Sequence, residues 1–370
     1  MNILIQLSHP AQFHSFKNVA KNLINDRHSV LIVIKSKDIL DDLLKETDLP
    51  YVNVNNHPHR GNKVGMLWDM LVREWRINQL CQKHKIDLLM GSTPEVAHVG
   101  WLLRKSRVNI GEDDANIVPA FGKIAGPFIQ CLMTPMSCSN GIMEPKSIHY
   151  PGFQKLTYLH PNWFQADKEV ARRNGINPDE PFFLIRFAKL NAHHDKGING
   201  ISTDIAHRLV EILAPHGKIY ITSERDLEPE FEQYRLHINP LDIHHVMAFA
   251  KIYIGDSQSM ANEAAMLGVP SLRFNDFVGA KKIGVMEELE HTYGLTYGIS
   301  SHEPEKLYAK VEELLAMPNL REEFQSRRQK MLADKIDVTA FLTYFIENYP
   351  QSVEEVRGAD KSFWKRFKSK

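Results

Sequence analysis

Short apolar segments alternate with amphipathic segments along this chain, and that alternation restricts the fold more than any other feature. Apolar residues recur every three or four positions between 13 and 23 and between 65 and 83, which predicts helices with one buried face. The apolar segments of the first half predict strands at residues 3–7, 30–34, 51–54, 87–90, 108–110 and 129–133. Strands that alternate with helices form parallel sheets with helices on both faces.

The second half repeats the pattern, with strands predicted at residues 182–187, 218–222, 251–254 and 271–274. A length of 370 residues is enough for two domains. Pro and Gly interrupt both periodicities between 150 and 179, so we predict an N-terminal domain at 1–165, a C-terminal domain at 166–340, and a terminal helix and tail at 341–370. The predicted fold is α/β, with two Rossmann-like, doubly wound parallel-sheet domains. Ligands of such sheets bind at the carboxyl ends of the strands, which predicts an active site in a cleft between facing domains.

Composition narrows the class of protein. Basic and acidic residues are equal in number, at 45 each, which argues against a broadly basic, nucleic-acid-binding protein. Three cysteines are too few for a disulfide framework and lack the spacing of a zinc site, so we expect reduced thiols. No apolar run is long enough to span a membrane, and the first residues lack the basic start of a signal peptide. We therefore expect a soluble, cytoplasmic protein.

The strand predicted at 251–254 leads into the most informative turn of the sequence. After Gly255, a polar turn precedes a helix that is predicted to begin near Ser259. The main-chain N–H groups at the start of a helix, together with the helix dipole, bind anions. We therefore predict an anion site at this helix start that is suited to a diphosphate, with an ordinary strand-to-helix turn, as in every βα unit, as the alternative.

Glu263 lies in this helix four residues after Ser259, and Ala264 and Ala265 follow it. A capping-box acid would lie three residues after the N-cap, so Glu263 is predicted to point into a partly buried region instead. A carboxylate there needs hydrogen-bond partners. A ribose diol is one such partner, and backbone amides or a neighbouring arginine are the alternatives.

Arg186 lies within an apolar strand, where a guanidinium needs an anionic partner such as a phosphate. His193, His194 and Asp195 follow, and with the pair His244-His245 they raise the question of a metal site. Adjacent side chains of an extended segment point in opposite directions, so neither pair is an obvious chelate. No metal site is predicted.

The turn after the first strand contains His9 and His14. It lacks G-x-G-x-x-G, which disfavours a nicotinamide or flavin dinucleotide. His14 falls in the first turn of a predicted helix at the cleft edge, where an imidazole is able to accept a proton from an acceptor hydroxyl. The alternative is a histidine that only caps or packs there.

Two acidic segments compete for the role of catalytic base. Glu95 opens a predicted helix, while Asp113 and Asp114 follow a strand in a run with Glu112. At least one member of that run is predicted to face the cleft. Acids at helix starts are also ordinary partners of the helix dipole, which is the structural alternative for each.

The chain ends in a basic segment that begins at Arg357 and has a net charge of +5, so residues 1–356 carry −5. Aromatic residues at 363, 364 and 367 are interleaved with five of its six cations, which are Lys361, Lys365, Arg366, Lys368 and Lys370. Such a segment is typical of helices that lie on an anionic membrane surface. A frayed, solvated terminus is the alternative.

Several segments, taken in order, resemble one family. They are His9-Pro10, His14-Ser15-Phe16, Asp113-Asp114, residues 150–161, Arg186-Phe187, Ala192-His193-His194-Asp195, Ser223-Glu224, Gly255-Asp256 and residues 263–268. The sequence is similar here to the GT-B-type proteins gathered as domain of unknown function family 354. Those proteins resemble glycosyltransferases and non-hydrolysing UDP-N-acetylglucosamine 2-epimerases. The resemblance extends over about residues 1–340.

This resemblance implies two Rossmann-like domains of the GT-B type, with a nucleotide-sugar donor held mainly by the second. It places the ribose on Glu263 and the diphosphate on the amides of Ser257 to Met260, with Arg186 nearby, and it includes Ser223 and Glu224 in the donor site. It implies no cofactor and no essential metal. One departure is the turn Asp256-Ser257-Gln258-Ser259, where relatives often carry a Gly-Gly or Gly-Thr pair. Bulkier side chains there would narrow the approach to the phosphates.

The sequence thus predicts a metal-independent, GT-B-like glycosyltransferase that uses a nucleotide sugar, a UDP sugar, in cell-surface polysaccharide assembly. The acceptor is expected to be a glycan or lipid-linked, which would place the protein at the inner face of the membrane. A 2-epimerase-like enzyme is one alternative, and it would need an acid/base pair near the sugar C2 but no acceptor. A nucleotide-sugar-binding protein without turnover is the other, favoured if none of His14, Glu95, Asp113 and Asp114 reaches the cleft.

Overall fold

A computed structural model of the chain describes residues 1–35, 40–54, 63–188, 200–279 and 282–368, without the side chains of 63 and 64. The chain divides into two compact units. Unit 1 comprises Met1–Tyr158 and Lys335–Lys370, and unit 2 comprises Leu159–Asp334. Each unit contains one parallel sheet. The prediction of two parallel-sheet α/β domains is therefore confirmed.

Unit 1 contains a seven-stranded sheet in the order β3-β2-β1-β4-β5-β6-β7. Its elements up to the boundary are β1 (Asn2–Leu7), α1 (Pro10–Asn25), β2 (Ser29–Ile34), α2 (Leu40–Lys45), β3 (Tyr51–Asn53), α3 (Lys63–Lys83), β4 (Leu88–Gly91), α4 (Pro94–Leu102), β5 (Ser106–Ile110), α5 (Pro119–Ile124), β6 (Cys131–Pro135), a 3₁₀ helix (Gly141–Lys146), β7 (Ser147–Tyr150) and α6 (Leu156–Leu159).

Helices cover both faces of this sheet. The connections from β1 to β3 proceed in one direction along the sheet, and α3 returns the chain to β4 on the other side of β1. Because such crossovers are right-handed, α1 and α3 lie on opposite faces. On the α3 face, Leu4 and Leu89 of the sheet pack with Ile77 of α3 and Val96 of α4.

The last 36 residues, Lys335–Lys370, belong to unit 1 rather than to a separate terminal segment. They form α14 (Val338–Glu347), α15 (Gln351–Arg357) and α16 (Lys361–Lys365). The apolar side of α14 is buried and the helix packs against α1. The main-chain N–H of Asp337 also donates to the carbonyl oxygen of Phe367 over 2.7 Å, which ties the end of the chain to the start of α14.

Unit 2 contains a five-stranded sheet in the order β12-β11-β10-β8-β9. Its elements are α7 (Lys168–Arg173), β8 (Phe182–Phe187), α8 (Thr203–Leu213), β9 (Lys218–Ser223), α9 (Ile243–Met247), β10 (Ile252–Gly255), α10 (Gln258–Met266), β11 (Ser271–Phe274), α11 (Gly284–Glu287), β12 (Thr296–Ile299), α12 (Pro304–Leu315) and α13 (Leu320–Asp334). Short 3₁₀ helices at Ala214–His216, Pro229–Tyr234 and Pro240–Asp242 and a π-helix at Glu288–Thr292 complete the unit.

Two strands were missing from the sequence prediction. β7 and β12 have four residues each and lie at sheet edges, so only one side of each is paired. The side chains of β7 alternate between half-buried and buried, and β12 has two half-buried residues between buried ends. The two strands include His149 and Gly298 rather than a continuous apolar run. Among the residues described, no helix is both long and apolar enough to cross a membrane.

Candidate functional site

The strand order of unit 2 reverses between β8 and β10, and ligands of doubly wound sheets bind beyond the carboxyl ends of the strands at such a point. The two strands end side by side, with Gly255 of β10 paired to Arg186 of β8. After β10, Asp256 leads to the N-cap Ser257, and α10 begins at Gln258, one residue before the predicted start. The predicted phosphate-binding turn therefore lies at the reversal.

The start of α10 has the geometry of an anion site. Ser257 Oγ accepts a hydrogen bond from the N–H of Met260 over 3.4 Å, so this hydroxyl caps the helix and engages one of the predicted phosphate-binding amides. The first N–H groups of a helix have no partner within it, which applies here to Gln258 and Ser259. Together with the helix dipole, these two amides favour a bound anion.

Asp256 holds the neighbouring strand end in place, although the sequence did not single it out as a site residue. It is 1% exposed. Its Oδ1 accepts from the N–H of Ala188 over 2.6 Å and its Oδ2 from the N–H of Ile201 over 3.3 Å. A Cβ at Gly200 would lie 2.4 Å from Oδ2, so only glycine allows this approach. Burial raises the pKa of Asp256 to about 6, against the opposing effect of these hydrogen bonds and of Arg225.

Arg186 has a carboxylate partner in the structure. One of its terminal nitrogens forms an ion pair with Glu224, at the end of β9, so the two predicted donor-site residues bind each other. The Nε of Arg186 is buried and has no hydrogen-bond partner among the described residues. The hydroxyl of Ser223 donates a hydrogen bond to the carbonyl oxygen of Arg225 and accepts one from the N–H of Arg225, which stabilises the turn after β9.

Glu263 lies on α10 and is 6% exposed, as the sequence predicted for a carboxylate facing a buried region. Its Oε2 is 3.4 Å from Nε2 of His244 on α9, a partner that the sequence did not predict. His245 is engaged elsewhere, because its Nδ1 accepts from the N–H of Asp167 over 3.1 Å. Burial lowers the pKa of His245. The two adjacent histidines thus have separate partners.

His193, His194 and Asp195 lie outside the described residues. Within the described ranges, no group of three His, Cys, Asp or Glu side chains is placed to hold a metal ion.

The strand order of unit 1 reverses between β1 and β4, and both predicted histidines lie just after β1. His9 is the N-cap of α1, where its Nδ1 accepts from the N–H of Ala11 over 3.2 Å. His14 is buried in the first half of that helix. Its ring centroid lies 5.3 Å from that of Phe13 and 5.4 Å from that of Tyr158. The imidazole is therefore part of an aromatic cluster.

Two of the predicted acids have structural partners in unit 1. Glu95 is buried near the start of α4, and its Oε1 accepts from Nε of Arg73 on α3 over 2.8 Å. Asp114 is also buried, and its Oδ1 accepts from the N–H of Ser139 over 2.7 Å. Asp113, between Glu112 and Asp114, is exposed.

A partly buried ion pair beyond the end of β5 is a further candidate. Nζ of Lys155, which is 2% exposed, lies 2.6 Å from Oε1 of Glu112. The other carboxylate oxygen, Oε2, is buried without a hydrogen-bond partner among the described residues. The pKa of nearby Tyr150 is raised by burial and by the charges of Cys138 and Glu112. Glu112 belongs to the acidic run of the sequence but was not chosen as a candidate base. Lys155 appeared only within a segment of the family resemblance, and no sequence pattern indicated a functional role for it.

Comparison with known proteins finds similarity in structure alone, because no family model and no curated protein matches the sequence. A UDP-GlcNAc 2-epimerase from Neisseria meningitidis bound to UDP-GlcNAc is 16% identical, with a TM-score of 0.65 over 88% of this chain and 94% of that chain. The S. aureus MnaA–UDP co-structure is 13% identical, with a TM-score of 0.64 over 97% of this chain and 99% of that chain. Spinosyn rhamnosyltransferase SpnG complexed with thymidine diphosphate is 15% identical, with a TM-score of 0.61 over 94% of this chain and 100% of that chain.

These likenesses show the fold class. The chain has the GT-B type of fold found in glycosyltransferases and in UDP-GlcNAc 2-epimerases. At such low identity the likeness shows the fold and not the reaction. The narrower resemblance to domain of unknown function family 354 stays a prediction, since no family model matches.

Proposed function

We propose that this chain is a metal-independent, GT-B-like glycosyltransferase that transfers a sugar from a nucleotide sugar, a UDP sugar, in cell-surface polysaccharide assembly. The observation that carries the proposal is the start of α10, where two first-turn amides and the buried Glu263 lie on one helix at the strand-order reversal of unit 2. Solved structures of the same fold contain UDP, UDP-GlcNAc or thymidine diphosphate.

Each donor-site residue has a role in this proposal. The carboxylate of Glu263 accepts hydrogen bonds from the ribose diol, and the amides of Gln258 and Ser259 bind the diphosphate. Arg186 adds a cation at the adjacent strand end. As the sugar leaves, negative charge grows on the diphosphate, and donors fixed before the reaction stabilise it without reorganisation. In this arrangement, main-chain N–H groups and a guanidinium provide the charge stabilisation that other enzymes obtain from a metal.

The acceptor hydroxyl requires a base, which we assign to unit 1. His14, Glu95, Asp113 and Asp114 remain the sequence candidates, and their environments differ. The ring of His14 packs among aromatic side chains, and Glu95 and Asp114 accept hydrogen bonds from protein groups. Glu112 joins them because Lys155 holds one of its oxygens. The acceptor is proposed to be a glycan or lipid-linked, with the protein at the inner face of the membrane through its basic terminal segment.

A 2-epimerase-like reaction is the second candidate. It is favoured by the likeness to UDP-GlcNAc 2-epimerases and by the Lys155–Glu112 pair, because an epimerase needs an acid and a base beside the same sugar carbon. The two reactions differ in product. An epimerase converts the UDP sugar without an acceptor, whereas a transferase releases UDP in an acceptor-dependent reaction, and under our proposal EDTA leaves that release unchanged.

The donor site is tested by nucleotide binding. UDP and UDP sugars are expected to raise the melting temperature of the chain, since a ligand that binds only the folded state stabilises it. Glu263→Ala is expected to weaken the binding of both UDP and uridine by about tenfold or more, because the ribose loses charge-assisted hydrogen bonds. Isothermal titration measures both affinities. Absence of binding to every nucleotide and nucleotide sugar would refute the donor assignment.

A further inference from the structure

A buried arginine lies beside the start of α10. Arg273, on β11, is 4% exposed, and its Nη1 donates a hydrogen bond to Oε1 of Gln258 over 2.7 Å. A Cβ at Gly298 of β12 would lie 2.8 Å from Nη2, so the glycine leaves the space that the guanidinium fills. Burial lowers the pKa of Arg273, and the charges of Glu290 and Glu287 oppose that shift. The Nε of Arg273 is buried without a hydrogen-bond partner in the described part of the chain.

This arginine fixes the orientation of the Gln258 side chain. A guanidinium donates hydrogen bonds and never accepts them, so the amide oxygen of Gln258 must face Arg273. The amide nitrogen Nε2 then points to the other side of the group, as a donor. It is buried, and no described residue accepts a hydrogen bond from it.

Three of the buried polar atoms that lack a hydrogen-bond partner near the start of α10, in the part of the chain described, are donors, whereas a fourth, Oδ1 of Asn262 one turn further along the helix, is an acceptor. Nε2 of Gln258, Nε of Arg273 and Nε of Arg186 are each buried without a partner among the described residues. The first-turn N–H groups and the positive end of the α10 dipole lie at the same helix start.

Glu224 pairs with a terminal nitrogen of Arg186, and the charges of Glu290 and Glu287 act on Arg273. However, no carboxylate of the described residues accepts a hydrogen bond from the three unpartnered nitrogen atoms. A buried donor without an acceptor is unfavourable. An anion with several oxygens, such as a phosphate, satisfies this set.

We propose that the side-chain amide of Gln258, held in place by Arg273, donates a hydrogen bond to a phosphate oxygen of the donor's diphosphate. Gln258 is a binding residue in this proposal, and Arg273 is a positioning residue that also contributes positive charge. The inference rests on the proposed function, since it gives that function's diphosphate a further ligand. It also assigns a function to Gln258, a bulky turn residue that would otherwise only narrow the approach to the phosphates.

Gln258→Glu is the most discriminating variant. The carboxylate retains the contact with Arg273 as an ion pair, so folding is preserved, but a donor that faces the phosphate becomes a negatively charged acceptor. We expect UDP and inorganic pyrophosphate to bind at least about tenfold more weakly, while uridine binds as before. Gln258→Ala is expected to weaken UDP binding by about tenfold and to leave uridine unaffected. Gln233→Glu, which adds the same charge at an exposed position of unit 2, is the matched control.

Arg273 is tested through its effect on Gln258. Arg273→Met is expected to weaken UDP binding, and Arg273→Lys to restore most of it, because lysine also donates to Oε1. In the Gln258→Ala background, Arg273→Met is expected to weaken UDP binding less than it does in the wild type, since the residue that it positions is gone. Equal losses in both backgrounds would show that Arg273 does not act through Gln258 and would overturn that part of the proposal.

The outcomes separate this inference from the proposed function. If the wild type binds UDP and Gln258→Glu binds it equally well, the Gln258 inference is wrong and the donor site stands. If the wild type binds pyrophosphate in a manner that depends on Gln258 but binds no nucleotide, the phosphate site stands and the proposed function fails. If the wild type binds neither pyrophosphate nor any nucleotide, both fail.

Discussion

Asp256 is a carboxylate buried at the strand-order reversal of unit 2, where it accepts hydrogen bonds from the main chain of two other segments. Burial, the dominant effect, raises its pKa from 3.8 to about 6. The folded state therefore holds this proton more tightly than the unfolded chain does. Between the two pKa values, the carboxyl is ionised in the unfolded state and protonated in the folded state, so the free energy of unfolding decreases as pH rises.

Asp256→Asn removes this titration. Relative to the variant, the wild type is expected to lose stability as pH rises from about 4 to about 6 and to lose no more above about 7, with a total change of about 2–3 kcal/mol. Thermal unfolding of both proteins at intervals of pH measures the difference. Parallel curves for the two proteins would contradict the raised pKa.

The sequence predicted the local structure of the candidate site in unit 2 better than its contacts. A polar turn after a strand predicted the start of a helix, and the alanines that follow Glu263 predicted burial of its side chain; the structure agrees on both features. The partners His244 and Arg273 were not predictable. They come from α9 and β11, and the spacing of residues within one helix does not say which side chains of other elements meet it.

At the scale of elements, the terminal segment also shows that a sequence pattern does not predict which other element a side chain will contact. The spacing of Phe363, Trp364 and Phe367 predicted an amphipathic segment with its aromatic side toward a membrane. In the structure that aromatic side packs on α14. The ring centroid of Phe367 lies 5.5 Å from that of Phe341 and 5.4 Å from that of Tyr344. An amphipathic pattern indicates that one face is covered, but it does not indicate by what.

Phe367→Ala is therefore expected to destabilise unit 1 by about 3 kcal/mol, because it removes a buried ring from an aromatic cluster. Lys365→Ala, at an exposed position of α16, is the control and is expected to leave stability unchanged within about 0.5 kcal/mol. Unfolding of both variants by denaturant measures the difference. Equal stability of the two variants would show that the terminal segment is not packed in solution.

For the molecule as a whole, the zero net charge combines a terminal segment of +5 with a remainder of −5. Because the aromatic side of that segment is packed, membrane binding through it rests on its exposed cations, such as Lys361 and Lys365. Unit 1 also exposes a row of large apolar side chains on α3, which are Leu67, Trp68, Leu71 and Trp75. α16 packs on α14, which lies against α1, whereas α3 covers the opposite face of the sheet. A flat membrane cannot contact both surfaces at once.

Sedimentation with anionic vesicles distinguishes these two surfaces. We expect the wild type to pellet at low ionic strength and to be released by salt, because each basic residue near the surface contributes about 1 kcal/mol of screened attraction. Lys361→Ser with Lys365→Ser is expected to reduce pelleting, whereas Trp68→Ser with Trp75→Ser leaves it unchanged. Both double variants preserve the aromatic packing of the terminal segment, which deletion of the segment would not. Loss of pelleting only in the tryptophan variant, with binding that resists salt, would refute the terminal segment as the contact and assign it to α3.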